Sequence, residues 1–242
     1  MGRAEELAAA LDALRGRLAL ACASAGRSPE EVTLLPVTKY FPASDVTILY
    51  QLGCREFGES REQEASAKIA ELRSVTGQLP DVRWHMIGRL QRNKARAVAR
   101  WVHTVQSVDS VRLAQALDRA AAAAMAAGER VAPPRVLLQV SLDGDAARGG
   151  VDPAGLGELA DTVAGANSLT LAGVMAVAPL GVEPARGFAE LARLHEKLLR
   201  VHPGATERSA GMSGDLEAAV NHGSTCVRVG TALMGSRPIL SP

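Results

Sequence analysis

The sequence has few of the features that mark several large protein classes. Its formal net charge is only +1, so charge gives no reason to expect nucleic acid or an anionic membrane as a partner. Cys22, Cys54 and Cys226 lack Cys-x-x-Cys spacing, which argues against a disulfide framework or a zinc site and favours a reducing compartment. No run is long and apolar enough to span a bilayer. These absences predict a cytoplasmic protein without a membrane anchor.

The N-terminus also lacks the uninterrupted apolar core of a secretory signal, because charged residues divide it. Leu7, Leu11, Leu14 and Leu18 recur there at three- and four-residue spacing. This period predicts an amphipathic helix over about residues 3–25.

The sequence does contain a regular alternation of strand-like and helix-like segments. The eight strand candidates are TLLPVTK, EFGES, VRWHMIG, HTVQSVD, RVLLQVSL, LTLAGVMAVAP, ATERSAGM and CVRVGTALMG. Helical periodicity lies between them, as in REQEASAKIAELR. Strands separated by helices form parallel sheets, and eight such units predict a single-domain (β/α)₈ TIM barrel over residues 1–242. A doubly wound open sheet is the alternative.

A lysine follows the first apolar strand. The segment LLPVTKY places Lys39 at the strand end, which is where a parallel barrel collects its functional groups. Withdrawal of an amine from water favours its neutral form, and a neutral amine attacks aldehydes to give a Schiff base. The competing interpretation is a lysine whose ammonium group simply reaches solvent at the strand end.

Two turns that combine glycine with a hydroxyl group follow the last two strands. The first offers Ser213 and Gly214 just before a helix, and the second offers Gly230 and Thr231. Barrels usually hold a phosphate at the turns after strands seven and eight. The alternative is that the glycines only serve turns and Ser213 caps the helix. The two turns together predict a phosphate site.

A phosphate site beside a Schiff-base lysine indicates pyridoxal 5′-phosphate (PLP), an aldehyde that carries a phosphate. In a closed barrel the strand of Lys39 neighbours the eighth strand. Arg228 precedes Gly230 by two residues, so it points to the same side and can meet the ring nitrogen of PLP. An arginine there keeps the nitrogen unprotonated and weakens the ring as an electron sink. An ordinary salt bridge is the other interpretation of Arg228.

Several segments resemble the pyridoxal phosphate homeostasis proteins, also described as YggS-like or proline synthetase co-transcribed proteins. They are PVTKYFP, GCREFGESREQEA, WHMIGRLQRNK, VQSVDSVRLAQAL, GVMAVAP and GMSGDLEAAVNHGSTCVRVGTALMG. The resemblance covers residues 34–235 and implies a barrel similar to the N-terminal domain of alanine racemase, with PLP covalently bound to Lys39. The cofactor ligands that it implies are Ser213, Gly214, Gly230 and Thr231 at the phosphate, Arg228 at the ring nitrogen, and Met212 in the pocket wall.

One residue departs from the family's pattern. Ser60 stands in FGESR where the family commonly has an asparagine near the ring hydroxyl of the cofactor. Because serine is shorter, we expect a bridging water at Ser60 in place of a direct contact. Nearby, His85 is interpreted as a packed, hydrogen-bonded strand residue.

The resemblance implies a protein that binds, buffers and delivers PLP, with PLP-dependent apoenzymes as candidate recipients and no established reaction. The alternative function is an amino-acid racemase of the alanine racemase fold. In the resembling enzymes a tyrosine from a second domain of the partner subunit supplies the second base, and here only Tyr40 and Tyr50 are present. Tyr40 should point away from Lys39 if the strand is regular. We therefore expect no racemase turnover. A racemase-like dimer would need the second domain, so we also expect a monomer.

A third hypothesis is a barrel that binds another phosphorylated metabolite, with Lys39 serving only as an electrostatic contact. It predicts no visible absorption from a protein–aldehyde adduct.

Overall fold

The computed structural model describes residues 2–76, 79, 81–145 and 147–236. Within them, each of the eight predicted segments contains one strand. The strands are β1 (Thr33–Pro36), β2 (Glu56–Glu59), β3 (Arg83–Met86), β4 (Thr104–Val108), β5 (Arg135–Gln139), β6 (Thr170–Met175), β7 (Glu207–Ser209) and β8 (Cys226–Val229).

All eight strands pair in parallel in the order β1-β8-β7-β6-β5-β4-β3-β2. β1 pairs with β8 so that Leu35 lies opposite Arg228. At the other edge, Val37 bridges to Gly58, and the backbone N–H of Thr38 donates to the carbonyl of Gly58 at 3.0 Å. These contacts close the sheet into the predicted (β/α)₈ barrel and exclude the open doubly wound alternative.

Helices fill the connections and surround the strands. They are α1 (Arg3–Ser24), α2 (Ala43–Gln51), α3 (Glu62–Thr76), α4 (Ala95–Ala99), α5 (Val111–Ala126), α6 (Leu156–Ala164), α7 (Pro184–Val201), α8 (Leu216–Asn221) and α9 (Thr231–Met234). Short 3₁₀ turns occur at Pro29–Glu31, Arg92–Lys94 and Pro153–Gly155. None of the helices in the described ranges is long and apolar enough to cross a membrane.

The leucine stripe at the N-terminus forms the buried face of α1. Leu7, Leu11, Leu14 and Leu18 are at most 5% exposed, as the helical period predicts. The helix packs against α8 and α9, so it supports the part of the barrel where the last two strands end.

Side chains on each strand alternate between the helix layer and the barrel interior. On β8, Val227 and Val229 pack in the apolar layer beneath the helices, whereas Cys226 and Arg228 lie on the inner side. Much of this interior is polar, with His85 and Gln106 buried in it. Burying polar groups costs free energy unless they are hydrogen-bonded, so the interior must hold a connected polar arrangement.

The thiols of Cys22, Cys54 and Cys226 are free and buried. Burial raises the pKa of the Cys226 thiol to about 11, which leaves it protonated and unreactive at neutral pH.

Candidate functional site

Lys39 lies just beyond the carboxyl end of β1 and is half-buried. Leu35 and Val37 alternate along the inner side of this strand, and Lys39 continues the same alternation. Its Nζ atom lies 5.8 Å from the centroid of the Tyr40 ring. The lysine therefore sits at the mouth of the barrel, next to the point where β1 meets β8.

Tyr40 does not continue a regular strand, because its φ is +70°. Its backbone N–H donates to the carboxylate of Glu64, and the guanidinium of Arg61 lies 5.1 Å from its ring centroid. The prediction that Tyr40 points away from Lys39 required a regular strand, and the backbone at Tyr40 is not that of a strand. A left-handed backbone at a non-glycine residue costs about 1–2 kcal/mol and is often found at functional sites.

A buried ion pair fixes the chain immediately before Lys39. The Nζ atom of Lys68, on α3, donates to the carbonyl of Thr38 at 2.7 Å and to Glu59 Oε1 at 2.6 Å. The Thr38 hydroxyl donates to the same carboxylate oxygen at 2.7 Å. Burial raises the pKa of Glu59, and the neighbouring Lys68 opposes that rise. No local sequence pattern pairs these residues, so the sequence did not predict this support.

Arg228 is 5% exposed and occupies the barrel interior beneath the end of β8. Its guanidinium donates to the hydroxyl of Ser209 at 2.7 Å and to the carbonyl of Ala176 at 2.8 Å. Burial lowers the pKa of Arg228. Because no carboxylate among the described residues forms an ion pair with it, the ordinary salt-bridge interpretation is wrong.

The turn after β7 precedes α8, and Asp215 is the N-cap residue of that helix. The carboxylate of Asp215 accepts the backbone N–H of Met212 at 2.5 Å. Ser213 therefore does not cap the helix. Within the described part of the chain, the backbone N–H groups of Ser213 and Gly214 donate to no protein acceptor, which leaves two donors available to an anion.

A second support for this turn comes from α1, which the sequence did not indicate. Arg17 donates to the carbonyl of Ser213 at 2.6 Å, and its guanidinium also pairs with Glu217 at 2.5 Å. The carbonyl of Ser213 is thereby held from outside the barrel. Arg17 thereby holds the turn that carries the backbone N–H groups of Ser213 and Gly214.

The turn after β8 lies against β1. A Cβ atom on Gly230 would be 3.8 Å from Cβ of Val37, so the backbone passes close to the strand that leads to Lys39. Thr231 is the first residue of α9 and is exposed. The structure thus places the Gly230–Thr231 turn beside the strand that leads to Lys39.

Ser60 and Met212 lie farther out. Ser60 follows β2 and lines a wide surface groove together with Tyr40 and Arg89. Met212 is 42% exposed on the turn after β7. Neither residue is enclosed by the polar interior around Arg228.

His85 lies within the barrel and not at its mouth. It is 5% exposed, and its Nδ1 atom is 2.9 Å from Nε2 of Gln106. The interpretation of His85 as a packed, hydrogen-bonded residue is confirmed.

Comparison with known proteins gives consistent matches. The family model "Alanine racemase, N-terminal domain" matches residues 9–238. The pyridoxal phosphate homeostasis protein of Mycobacterium tuberculosis is 53% identical over 248 residues, with 99% of this chain and 96% of that protein covered. Its counterpart in Escherichia coli K12 is 38% identical over 240 residues, with 96% of this chain and 97% of that protein covered.

Two solved structures place the fold in the same group. PipY of Synechococcus elongatus PCC7942, solved with PLP bound, is 37% identical with a TM-score of 0.78, and the match covers 95% of this chain and all of that one (100%). Alanine racemase from Corynebacterium glutamicum is 16% identical with a TM-score of 0.65, and the match covers 96% of this chain and 62% of that one. The racemase likeness concerns the fold alone.

Proposed function

The chain belongs to the pyridoxal phosphate homeostasis protein family, and on this premise we propose that it binds PLP and takes part in PLP homeostasis. We propose further that the cofactor is held covalently on Lys39 and that residues 1–242 act as one cofactor-binding domain. PLP supplies an aldehyde, which condenses with a primary amine. The proposal is supported by the similarity to PipY, which was solved with PLP bound, and by the position of Lys39 at the barrel mouth.

The observation that carries the proposal is the buried guanidinium of Arg228. Two of its nitrogens are anchored on Ser209 and Ala176, and the group has five N–H hydrogens in all. A guanidinium only donates, so it suits a pyridine nitrogen that carries a lone pair. Arg228 would hold the ring in its unprotonated form, which withdraws electrons weakly.

The phosphate of PLP has a fitting set of donors in the two turns. We assign it to the backbone N–H groups of Ser213 and Gly214, together with Gly230 and the hydroxyl of Thr231 on the other turn. The separation of Gly230 from Val37 supports this assignment, because it puts the second turn beside the strand of Lys39. For the outer residues we propose that Met212 covers the edge of the site and Ser60 acts through a water.

We propose that the protein has no racemase activity. A racemase must protonate the substrate carbon from either face, and it benefits from a strongly electron-withdrawing ring. The relatives at 38–53% identity are named for PLP homeostasis and not for racemisation. Purified protein loaded with PLP should give no racemisation of alanine or serine above background. Turnover at an enzyme-like rate of about 1 s⁻¹ or more would support the racemase instead.

We also propose that the protein is a cytoplasmic monomer that passes PLP to PLP-dependent apoenzymes. Three free, buried thiols fit a reducing compartment. Light scattering tests the monomer, and transfer is tested by the activation of an apoenzyme with the loaded protein. Activation at the rate given by free PLP alone would argue against direct transfer.

A pair of lysine variants tests the covalent site. Lys39→Ala should lose the visible band of bound PLP and keep some weak binding through the phosphate turns. The matched control is Lys197→Ala on α7, since Lys197 is exposed on the outside of the barrel. We expect the control to bind PLP like the parent protein. Equal visible bands in Lys39→Ala and the parent would contradict the assignment.

A further inference from the structure

A row of polar contacts, most of them hydrogen bonds, crosses the barrel interior away from the mouth. We call it the axial network, and its members are Arg228, Ser209, Gln106, His85 and Glu56. Arg228 donates to Ser209 at 2.7 Å, the Ser209 hydroxyl donates to Gln106 Oε1 at 2.7 Å, and Gln106 Nε2 is 2.9 Å from His85 Nδ1. The Nε2 atom of His85 lies 3.1 Å from a carboxylate oxygen of Glu56, a close polar contact that does not have the geometry of a hydrogen bond. The network joins five different strands.

The donors in the axial network all point the same way. A guanidinium has no acceptor, so the Ser209 oxygen accepts from Arg228. In the structure the Ser209 hydroxyl in turn donates to the amide oxygen of Gln106. The amide nitrogen of Gln106 then faces His85, whose Nδ1 must accept. The imidazole proton consequently lies on Nε2, on the side of Glu56. The structure thus orders the hydroxyl, the amide and the imidazole in one series of contacts that begins at Arg228.

The far end of the network opens on a second cavity, of about 430 Å³, at the amino-terminal end of the barrel. Other charged or titratable groups facing this cavity are Glu31, Arg83, His103, Arg135 and Glu207. His103 is kept neutral because burial, as the main cause, lowers its pKa to about 4. The contact with His85 is the main cause of the lowered pKa of Glu56. The carboxylate therefore remains charged beside Nε2 of His85.

The stability of the fold does not by itself explain why the axial network is present. Net stabilisation by a buried hydrogen bond is about 1 kcal/mol, and apolar side chains of similar volume often serve a core equally well. Apolar residues do occupy the neighbouring part of the interior, where Leu137, Ala172 and Met175 form a cluster. Gln106 is 1% exposed and Ser209 is fully buried, yet both are polar. Gln106 and Ser209 have in common that both belong to the series of contacts that ends at Arg228.

We propose that Gln106 and His85 are positioning residues, which act through Ser209 to orient the guanidinium of Arg228 beneath the cofactor ring. The proposal rests on the proposed PLP function. Ser209 alone leaves its hydroxyl hydrogen free to rotate, so the direction of its lone pairs toward Arg228 is not determined. When Gln106 accepts that hydrogen, the Ser209 hydroxyl no longer rotates freely. The contact with His85 in turn prevents rotation of the Gln106 amide.

The test compares Gln106→Met with Gln139→Met by the absorption spectrum and the affinity of bound PLP. Gln139 is a matched control because it is also a buried glutamine, 8% exposed, on the adjacent strand β5, and it donates to the carbonyl of Arg148 at 2.9 Å. Gln106→Met should still form the reduced adduct on Lys39. Its visible band should shift, and PLP should bind about tenfold more weakly, which corresponds to ~1.4 kcal/mol. The control should show neither change.

A double-mutant cycle separates positioning from simple destabilisation. Ser209→Ala should give the same spectral shift as Gln106→Met, and the double variant should add nothing further, because both changes break one series of contacts. If Gln106→Met does not fold, Ser209→Ala alone tests the proposal, because it removes only one hydroxyl group. Additive shifts, or a parent-like spectrum and affinity in Ser209→Ala, would overturn the proposal. No adduct in the parent protein would instead overturn the PLP function itself.

Discussion

The substitution Lys68→Met should destabilise the protein strongly. The lysine is 5% exposed and its ammonium group is the cation that pairs with Glu59, which is fully buried. Methionine keeps most of the side-chain volume but removes the charge and both hydrogen bonds. Loss of one partner from a buried ion pair typically costs about 3–5 kcal/mol, because the other charge remains buried without compensation. The Oε2 atom of Glu59 already lacks a partner within the described residues, so we expect a cost in this range.

Urea unfolding followed by circular dichroism measures this loss as a change in the free energy of unfolding. The matched control is Lys197→Met, an exposed lysine whose replacement should change the free energy by less than about 0.5 kcal/mol. A third variant, Lys68→Met combined with Glu59→Leu, removes both charges and should recover much of the loss. A loss below about 1 kcal/mol in Lys68→Met would refute the reasoning.

The pH dependence of the same variant gives an independent check. Burial raises the native pKa of Glu59 above its value in the unfolded chain. Between these two pKa values the native state binds more protons than the unfolded state, so stability falls as the pH rises. Without Lys68 the native pKa should rise further. The deficit of Lys68→Met relative to the parent should therefore be smaller at pH 5 than at pH 8, and an equal deficit would contradict the mechanism.

Two further substitutions test the turn that is assigned to the phosphate. Gly211→Ala should lower the free energy of unfolding by more than about 2 kcal/mol, because φ of Gly211 is +92° and the new Cβ would lie 2.5 Å from Cβ of Ala219. Urea unfolding measures this loss. The control is Gly157→Ala, in a helix and with open space around the new Cβ. Arg17→Met should weaken PLP binding about threefold or more while changing stability by less than about 1 kcal/mol, since its pair with Glu217 is partly exposed to solvent. Unchanged PLP affinity by titration would show that Arg17 does not support the turn.

The order of elements could be predicted because each strand is marked locally. Apolar runs with flanking helical periods give the eight strands, and closure follows from their number. The position of Lys39 at a strand end needs only that order. Arg228 on the inner side of β8 needs only the two-residue alternation of a strand, which the structure preserves.

The hydrogen bonds that hold the site residues in place could not be predicted, because they join residues far apart in the chain. Lys68 reaches Thr38 across 30 residues, and Ser209 reaches Gln106 across 103. Neither pair has a local pattern. Tyr40 shows a different limit, because the strand rule assumes a regular backbone and the positive φ breaks it.

The most direct test of the central claim is a peptide mass map of the parent protein after loading with PLP and reduction with borohydride. Reduction makes the link between aldehyde and amine permanent, so the adduct stays on the residue that formed it. The chain has four lysines, Lys39, Lys68, Lys94 and Lys197, and each is a distinguishable site. We predict one adduct, on Lys39. An adduct on another lysine, or none, would contradict the assignment of Lys39 as the residue that holds the cofactor.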